Sequence, residues 1–374
     1  MARLGDVATY INGYAFKPED WSDTGLPIIR IQDLTGNSYQ ANRYNGEYAP
    51  KYEVNDGDVL ISWSASLGVY IWHGEKALLN QHIFKVVFDK TDISKSFFVH
   101  QVENILEKAA SSAHGATMKH LTKPVFDALP FYLPSLDEQH KIAAVLDKVS
   151  GLIAKRRQQL EKLDEMVKAR FVEMFGTLSH PSQKFKYDIL KNLCRKITDG
   201  KHGGCTPQLG SGRYFVGARE IFDDTVHYET APEIAIDEFE KDYKRCNLEI
   251  GDLLIVNTGA TIGKSAIACD FRAQHTLLQK SVALLKVKSE LINPVFLKYC
   301  YRVNETMYKV ESASAQPNLL LSKINTTSIY VPPMALQNQF AAFIEQTEKS
   351  KTTISHSLEK LEILKKALMQ EYFG

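Results

Sequence analysis

The stretch Leu133-Pro134-Ser135-Leu136-Asp137-Glu138-Gln139 returns, altered but legible, as Val331-Pro332-Pro333-Met334-Ala335-Leu336-Gln337-Asn338-Gln339. Each version opens a long charged segment of helical pattern. The first closes on Lys162-Leu163 … Glu173-Met174-Phe175-Gly176 and the second on Lys360-Leu361 … Glu371-Tyr372-Phe373-Gly374, with the same internal spacing. Upstream landmarks repeat too. Asn55-Asp56-Gly57-Asp58-Val59-Leu60-Ile61 matches Glu249-Ile250-Gly251-Asp252-Leu253-Leu254-Ile255, and Leu78-Leu79-Asn80-Gln81 matches Leu277-Leu278-Gln279-Lys280. A period of roughly 195–200 residues is too long for a solenoid. Each unit is instead a globular domain followed by a helix. The expectation is a pseudo-two-fold molecule with two equivalent heads, suited to a repetitive ligand such as duplex DNA.

The repeat divides the chain into four blocks: a first head over 1–135, a central helix over 136–176, a second head over 177–335 and a distal helix over 336–374. The first head holds short runs rich in Val, Ile and aromatics, bounded by Gly, Asp and Asn, which read as strands: Pro27-Ile28-Ile29-Arg30-Ile31, Asp58-Val59-Leu60-Ile61-Ser62, Gly68-Val69-Tyr70-Ile71-Trp72 and Ile83-Phe84-Lys85-Val86-Val87-Phe88. A helix is expected over 94–110. The second head repeats the plan with Arg213-Tyr214-Phe215-Val216, Asp252-Leu253-Leu254-Ile255-Val256, Lys264-Ser265-Ala266-Ile267-Ala268 and Ser281-Val282-Ala283-Leu284-Leu285-Lys286-Val287, then a helix over 293–307. The fold class is α+β: two similar α/β domains with irregular curved sheets, joined by two long helices.

The central helix carries a seam at Ile142, Leu146, Val149, Ile153, Arg156, Leu160, Leu163, Val167, Arg170 and Met174. Steps of four and three alternate throughout, as in a coiled coil. The distal helix has a looser seam at Phe340, Ile344, Thr347, Lys351, Ile354, Leu358, Leu361, Lys365, Leu368 and Tyr372. Ser135-Leu136-Asp137-Glu138 fits a capping box. Each helix of ~40 residues is about 60 Å long. Their matched lengths favour an intramolecular antiparallel coiled coil; parallel dimerisation between chains is the alternative.

Bulk properties exclude several classes. The chain has 374 residues, 44% hydrophobic and 24% charged, which is ordinary globular composition rather than that of a disordered chain. No run of 18 apolar residues exists to span a membrane. The start, Met1-Ala2-Arg3-Leu4-Gly5-Asp6, lacks a signal peptide's apolar centre, so the expected location is cytoplasmic. Cys194, Cys205, Cys246, Cys269 and Cys300 form no C-x-x-C pair and read as reduced thiols; no metal is expected. Residues 1–135 carry 12 Lys and Arg against 15 Asp and Glu, and residues 177–335 carry 20 against 17. Neither head is strongly basic, so binding nucleic acid would fall to local basic loops.

No catalytic constellation is legible. Gly259-Ala260-Thr261-Ile262-Gly263-Lys264-Ser265 resembles a phosphate loop, but it is one residue short of the nucleotide-binding form, and a strand rather than a helix comes after it. Polar loops lie at matching places in both heads instead: 12–21, 30–33, 62–68 and 114–120 in the first, and 198–204, 217–220, 257–264 and 312–318 in the second. Such side chains reach base edges and phosphates. The DNA-contact candidates are Lys17, Arg30, Gln32, Ser62, Ser64, Thr117, Lys119 and His120 in the first head. In the second they are Lys201, His202, Arg219, Asn257, Thr258, Thr261, Lys264, Gln316 and Asn318. Any single loop is also readable as a solvated turn; four matched loops of differing sequence on one frame argue for two readers. The rival readings are a phosphate-binding enzyme and a coiled-coil spacer.

The Leu-Pro-x-Leu-x-Glu-Gln opening of a Lys/Arg-rich heptad helix ending Glu-Met-Phe-Gly resembles the conserved region of the specificity subunit of type I restriction–modification enzymes. So do the strand-entry pairs Gly57-Asp58 and Gly251-Asp252, and Ile197-Thr198-Asp199-Gly200-Lys201-His202 with Thr206-Pro207. At the corresponding place the first head has Asn12-Gly13-Tyr14-Ala15-Phe16. The resemblance covers the whole chain in order. It implies a non-catalytic subunit binding double-stranded DNA, each head a target recognition domain for half of a bipartite site. It also implies two methyltransferase subunits, which bind S-adenosylmethionine, and optionally two restriction/translocase subunits using ATP and Mg. The helix pair would set the gap and offer docking surface to the methyltransferases; the coiled-coil and docking positions are Ile142, Leu146, Val149, Ile153, Leu160, Leu163, Val167, Ile354, Leu358, Leu361 and Leu368. No cofactor is expected in this chain.

Overall fold

The computed structural model describes residues 1–36, 42–112, 122–309 and 317–374. They form two compact units: residues 1–157 with 356–374, and residues 158–355.

In the first unit, strands β1 (Thr9–Asn12), β2 (Leu26–Ile29), β3 (Val59–Ser62), β4 (Gly68–Ile71), β5 (Ala77–Leu79) and β6 (Ile83–Val87) carry the frame. Four of them make an antiparallel sheet in the order β1-β6-β3-β4, while β2 and β5 pair in parallel in a second sheet. Helix α1 (Lys95–Ser112) packs on the first sheet, and α2 (Leu136–Phe175) comes next. In β3, Val59 and Ile61 join a core with Phe97, Phe98 and Val102 of α1, whereas Leu60 turns to Ile29, Val54 and Leu79. Both faces of β3 are buried, which is why its sequence is a continuous apolar run rather than an alternation.

The second unit repeats this frame with β7 (Cys194–Asp199), β8 (Tyr214–Val216), β9 (Leu253–Val256), β10 (Ser265–Ile267), β11 (Thr276–Leu278) and β12 (Val282–Val287). Its antiparallel sheet runs β7-β12-β9-β10, and β8 pairs in parallel with β11. Leu253 and Ile255 face α3 (Pro294–Val303); Leu254 and Val256 face the opposite cluster around Val216 and Leu278. The repeated Gly-Asp pair has one job in both. Gly57 and Gly251 adopt φ of +82° and +92°, and the next Asp accepts a backbone N–H three residues back, Asn55 at 2.9 Å and Glu249 at 2.8 Å. The tight turn this makes feeds the central strand.

Several expectations are corrected. The run 27–31 is not all strand: β2 stops at Ile29, and Ile31–Leu34 winds a helical turn because Asp33 caps the N–H of Arg30 at 2.8 Å. The loops at 30–33 and 217–220 are thus short helical turns, the second capped by Glu220 on the N–H of Gly217 at 2.8 Å. The helix expected over 293–307 breaks after Val303, with a 3-10 turn at Glu305–Met307. Only half of the capping box forms: Ser135 accepts the N–H of Glu138 at 3.4 Å, but the Glu138 carboxylate takes the Tyr132 hydroxyl instead. Strands β1 and β7 are not among the expected runs, because Thr9-Tyr10-Ile11-Asn12 is short and Cys194-Arg195-Lys196-Ile197-Thr198-Asp199 is mostly polar.

Helix α4 (Met334–Phe373), like α2, is continuous over 40 residues. Every seam position of both helices is buried or half-buried. In the first unit Leu146 shares a core with Met369, and Arg157 pairs with Glu362 at 2.7 Å. In the second, Phe171 packs edge-on against Phe340, and Asp164 pairs with Lys351 at 2.7 Å. Numbers rise along α2 as they fall along α4, so the pairing is antiparallel and within one chain. The coiled-coil positions named above therefore meet the other long helix of the same chain. Among the described residues no helix is long and apolar enough to cross a membrane.

Candidate nucleic-acid interface

In the second unit the turn Gln279-Lys280-Ser281 joins β11 to β12 and gathers the loops around it. The opening loop is held by Lys201 N–H to Leu278 O at 2.7 Å and Lys280 N–H to Lys201 O at 2.9 Å. The helical turn at 218–220 is held by Ala218 N–H to the Ser281 hydroxyl at 3.1 Å. The hairpin loop 257–264 is held by Asn257 N–H to Ser281 O at 3.0 Å. That loop in turn meets 317–319: Gly259 N–H donates to Pro317 O at 3.1 Å, Leu319 N–H to Asn257 O at 2.7 Å, and the Thr258 hydroxyl to Asn318 at 3.1 Å.

The first unit builds the same hub on Asn80-Gln81-His82. Tyr14 N–H donates to Leu79 O at 2.9 Å, Gln81 N–H to Tyr14 O at 2.8 Å, Asn80 N–H to Ile29 O at 3.2 Å and Trp63 N–H to His82 O at 3.2 Å. The close approach explains two glycines. A Cβ on Gly13 would lie 1.9 Å from Asn80 O, and one on Gly200 would lie 2.0 Å from Leu278 O. Asn12-Gly13 and Asp199-Gly200 are thus one device, although their flanking residues differ.

Individual candidates differ in availability. Arg219 and Lys264 are exposed, and among the described residues neither side chain has an ion-pair partner. Thr258 and Asn318 are half-buried and brought together, and Thr261 is half-buried in the same loop. Asn257 is buried and frames the loop. Lys201 is an internal ion pair instead, 2.9 Å from Glu238 and 2.8 Å from Asp242, so its charge is already neutralised. Hydrogen bonds from the Thr206 hydroxyl and then Lys201 hold the Glu238 carboxyl down to about 2. This network ties the opening loop to the helix Ile236–Asp242. His202 is exposed, 3.9 Å from Asp199.

In the first head Lys17 is exposed, 3.8 Å from Glu19. Arg30 and Gln32 sit on the helical turn, half-buried, with the Arg30 guanidinium 5.9 Å from the Trp21 ring. Ser62 and Ser64 are buried, and the Ser62 hydroxyl is taken by Ser66 O, so both shape the hairpin loop rather than face outward. Thr117, Lys119, His120 and Gln316 lie outside the described residues.

The hub residues Asn80, Gln81, His82, Gln279, Lys280 and Ser281 are the ones the loop-by-loop reading missed. Their signal was present in the sequence: the repeated Leu-Leu step ends in polar residues immediately before another apolar run. Lys280 is exposed at the centre of the hub. As for phosphate-loop chemistry, Gly259–Ser265 spans a hairpin between antiparallel β9 and β10 and opens no helix, so it lacks the geometry of a nucleotide site.

A family model described as the type I restriction modification DNA specificity domain matches the chain twice, over residues 1–163 and 208–364. The EcoBI specificity subunit of Escherichia coli is 24% identical over 407 aligned positions, covering 99% of this chain and 84% of that relative. The MjaVIII specificity subunit of Methanocaldococcus jannaschii is also 24% identical, covering 99% and 90%. Among solved structures, the type I restriction–modification S subunit from M. genitalium superposes with a TM-score of 0.58 at 14% identity, covering 100% of this chain and 95% of that one. At that identity the likeness speaks for the fold.

Proposed function

This chain belongs to the type I restriction modification DNA specificity family, a DNA-recognition rather than a catalytic component, and on that premise we propose that each head reads one half of a bipartite DNA site. The observation that carries the proposal is the pair of hubs. One strand order and one hydrogen-bonded turn recur in both units, yet the turn reads Asn80-Gln81-His82 in one and Gln279-Lys280-Ser281 in the other. A constant frame with changed donors and acceptors is what two readers of different base sequences require. The contact set we propose is Lys17, Arg30, Gln32 and Gln81 in the first head, with Thr117, Lys119 and His120. In the second it is His202, Arg219, Thr258, Thr261, Lys264, Lys280 and Asn318, with Gln316.

The paired helices set the gap between half-sites in this reading. Two methyltransferase subunits dock on their outer faces, where Leu152, Met166, Ile363 and Leu364 are exposed. The methyltransferases bring S-adenosylmethionine, and a restriction/translocase partner, where one exists, brings ATP and Mg. The test is a base-resolution methylome with and without this gene. The proposal expects one bipartite motif to lose its methylation; an unchanged methylome in cells that express the chain and its methyltransferase would contradict it.

A further inference from the structure

We propose that the second unit carries a phosphate-binding pocket walled by Lys168 of α2, Lys264 at the end of the hairpin loop and Arg302 of α3. A cavity of about 350 Å³ opens between these three residues. Lys168 and Lys264 are exposed, and neither has an ion-pair partner among the described residues. The acid in the wall is already matched: Asp224 lies 3.2 Å from the buried ammonium of Lys298 and against the Arg302 guanidinium. Asp224 is shared between Lys298 and Arg302, so four cations, Lys168, Lys264, Lys298 and Arg302, stand against two carboxylates, Asp224 and the exposed Asp223 on the rim, and the wall keeps an excess of positive charge.

The backbone is shaped for this. Gly263 has φ +91°, and a Cβ there would meet the Tyr308 ring at 2.6 Å, so only glycine lets the loop fold onto Tyr308, which also lines the cavity. The run Gly259-Ala260-Thr261-Ile262-Gly263-Lys264 thereby gains a use that its hairpin setting denied it as a nucleotide loop. Two ammonium groups beside a guanidinium fork are complementary to a tetrahedral oxyanion. The matching loop of the first head, 62–68, has no lysine, so the pocket is a property of the second unit. Resting on the DNA-recognition reading, the ligand is a phosphate of the DNA backbone flanking the second half-site.

The test uses the full chain assembled with its methyltransferase partner and compares it with a variant carrying Lys168→Gln and Lys264→Gln together. Duplexes with and without the methylated motif are titrated over a salt series. Separately, thermal unfolding is followed in inorganic phosphate against chloride at matched ionic strength. The expected result is several-fold weaker binding of every duplex by the variant, a salt slope reduced by about one to two units, and loss of stabilisation by phosphate. Lys168→Arg with Lys264→Arg should restore all three. If DNA binding is untouched and only phosphate stabilisation is lost, the pocket takes a free phosphate and its assignment to the DNA backbone is wrong. If neither changes, the pocket is overturned. If the parent complex fails to bind DNA at all, the DNA-recognition reading falls, while the phosphate measurement still decides the pocket.

Discussion

The side-chain carbonyl of Gln139 accepts the backbone N–H of Ser94 at 2.9 Å, immediately before α1 begins. Gln337 does the same for Asn293, at 2.8 Å, immediately before α3. Each amide then donates to the proline ahead of its own long helix, Pro134 O at 2.9 Å and Pro332 O at 2.8 Å. The repeated motif that reveals the duplication is therefore a clamp between the start of each long helix and the start of its head's helix.

Gln139 is 1% exposed and Gln337 0%. Gln139→Ala or Gln337→Ala removes the partner of a half-buried N–H and of a proline carbonyl, which costs about 0.5–1.5 kcal/mol per hydrogen bond lost. Denaturant unfolding should show a lowered midpoint with an unchanged slope. A midpoint equal to the parent's would mean that the clamp contributes nothing to stability.

Glu103 of α1 faces His100 on its own helix and Lys365 of α4, 2.9 Å away. The His100 ring 3.9 Å away, then the Lys365 ammonium, hold its carboxyl below the ordinary 4.5. Because the folded-state value is depressed, the contribution is complete above the ordinary carboxylate value and fades as pH falls through the folded one. Glu103→Gln should thus be less stable than the parent near pH 7, with the difference shrinking as pH falls from about 4.5. A difference that stays constant under acid unfolding would assign the effect to packing instead.

Arg219 and Lys280 are exposed cations on segments that meet at the second hub. Arg219→Ala should relax the sequence preference at one base pair by about 1–3 kcal/mol. Lys280→Ala should weaken all duplexes alike and lower the salt slope by about one unit. Competition titrations against single-base variants of the motif separate the two outcomes, and folded variants with unchanged affinity and specificity would remove either residue from the contact set.

If the helix pair sets the gap, lengthening both helices must change it. Four residues inserted after Arg157, matched by four near Ser355, add about 6 Å and rotate the downstream part of each helix by about 40°. The methylated motif should keep both half-sites and gain about one or two base pairs between them, given a groove repeat of roughly 10–10.5 bp. A stable, active complex with its original gap would show that the helices do not set the spacing.

Much of this fold was legible because its signals are local and doubled. Doubly buried strands such as Val59–Ser62 and Leu253–Val256 appear as apolar runs, and the seams keep their alternating spacing over the full helices. The strand Cys194–Asp199 was invisible because its residues are mostly polar or charged and show no apolar run. The helical turn at Ile31–Leu34 depends on a single carboxylate cap, which hydrophobic pattern does not report. Site residues were harder still. Lys201 looked like a loop cation until Glu238 and Asp242, nearly forty residues away in sequence, were seen to neutralise it. The hub at Gln279–Ser281 emerges only when four distant loops converge.

The most direct test of the central claim is a head exchange. Residues 1–135 are replaced by the corresponding head of another family member, and the methylome is determined at base resolution in cells supplying the cognate methyltransferase. Two independent readers predict that one half-site changes while the other half-site and the gap persist. If both half-sites change together, the heads do not read DNA independently and the account fails.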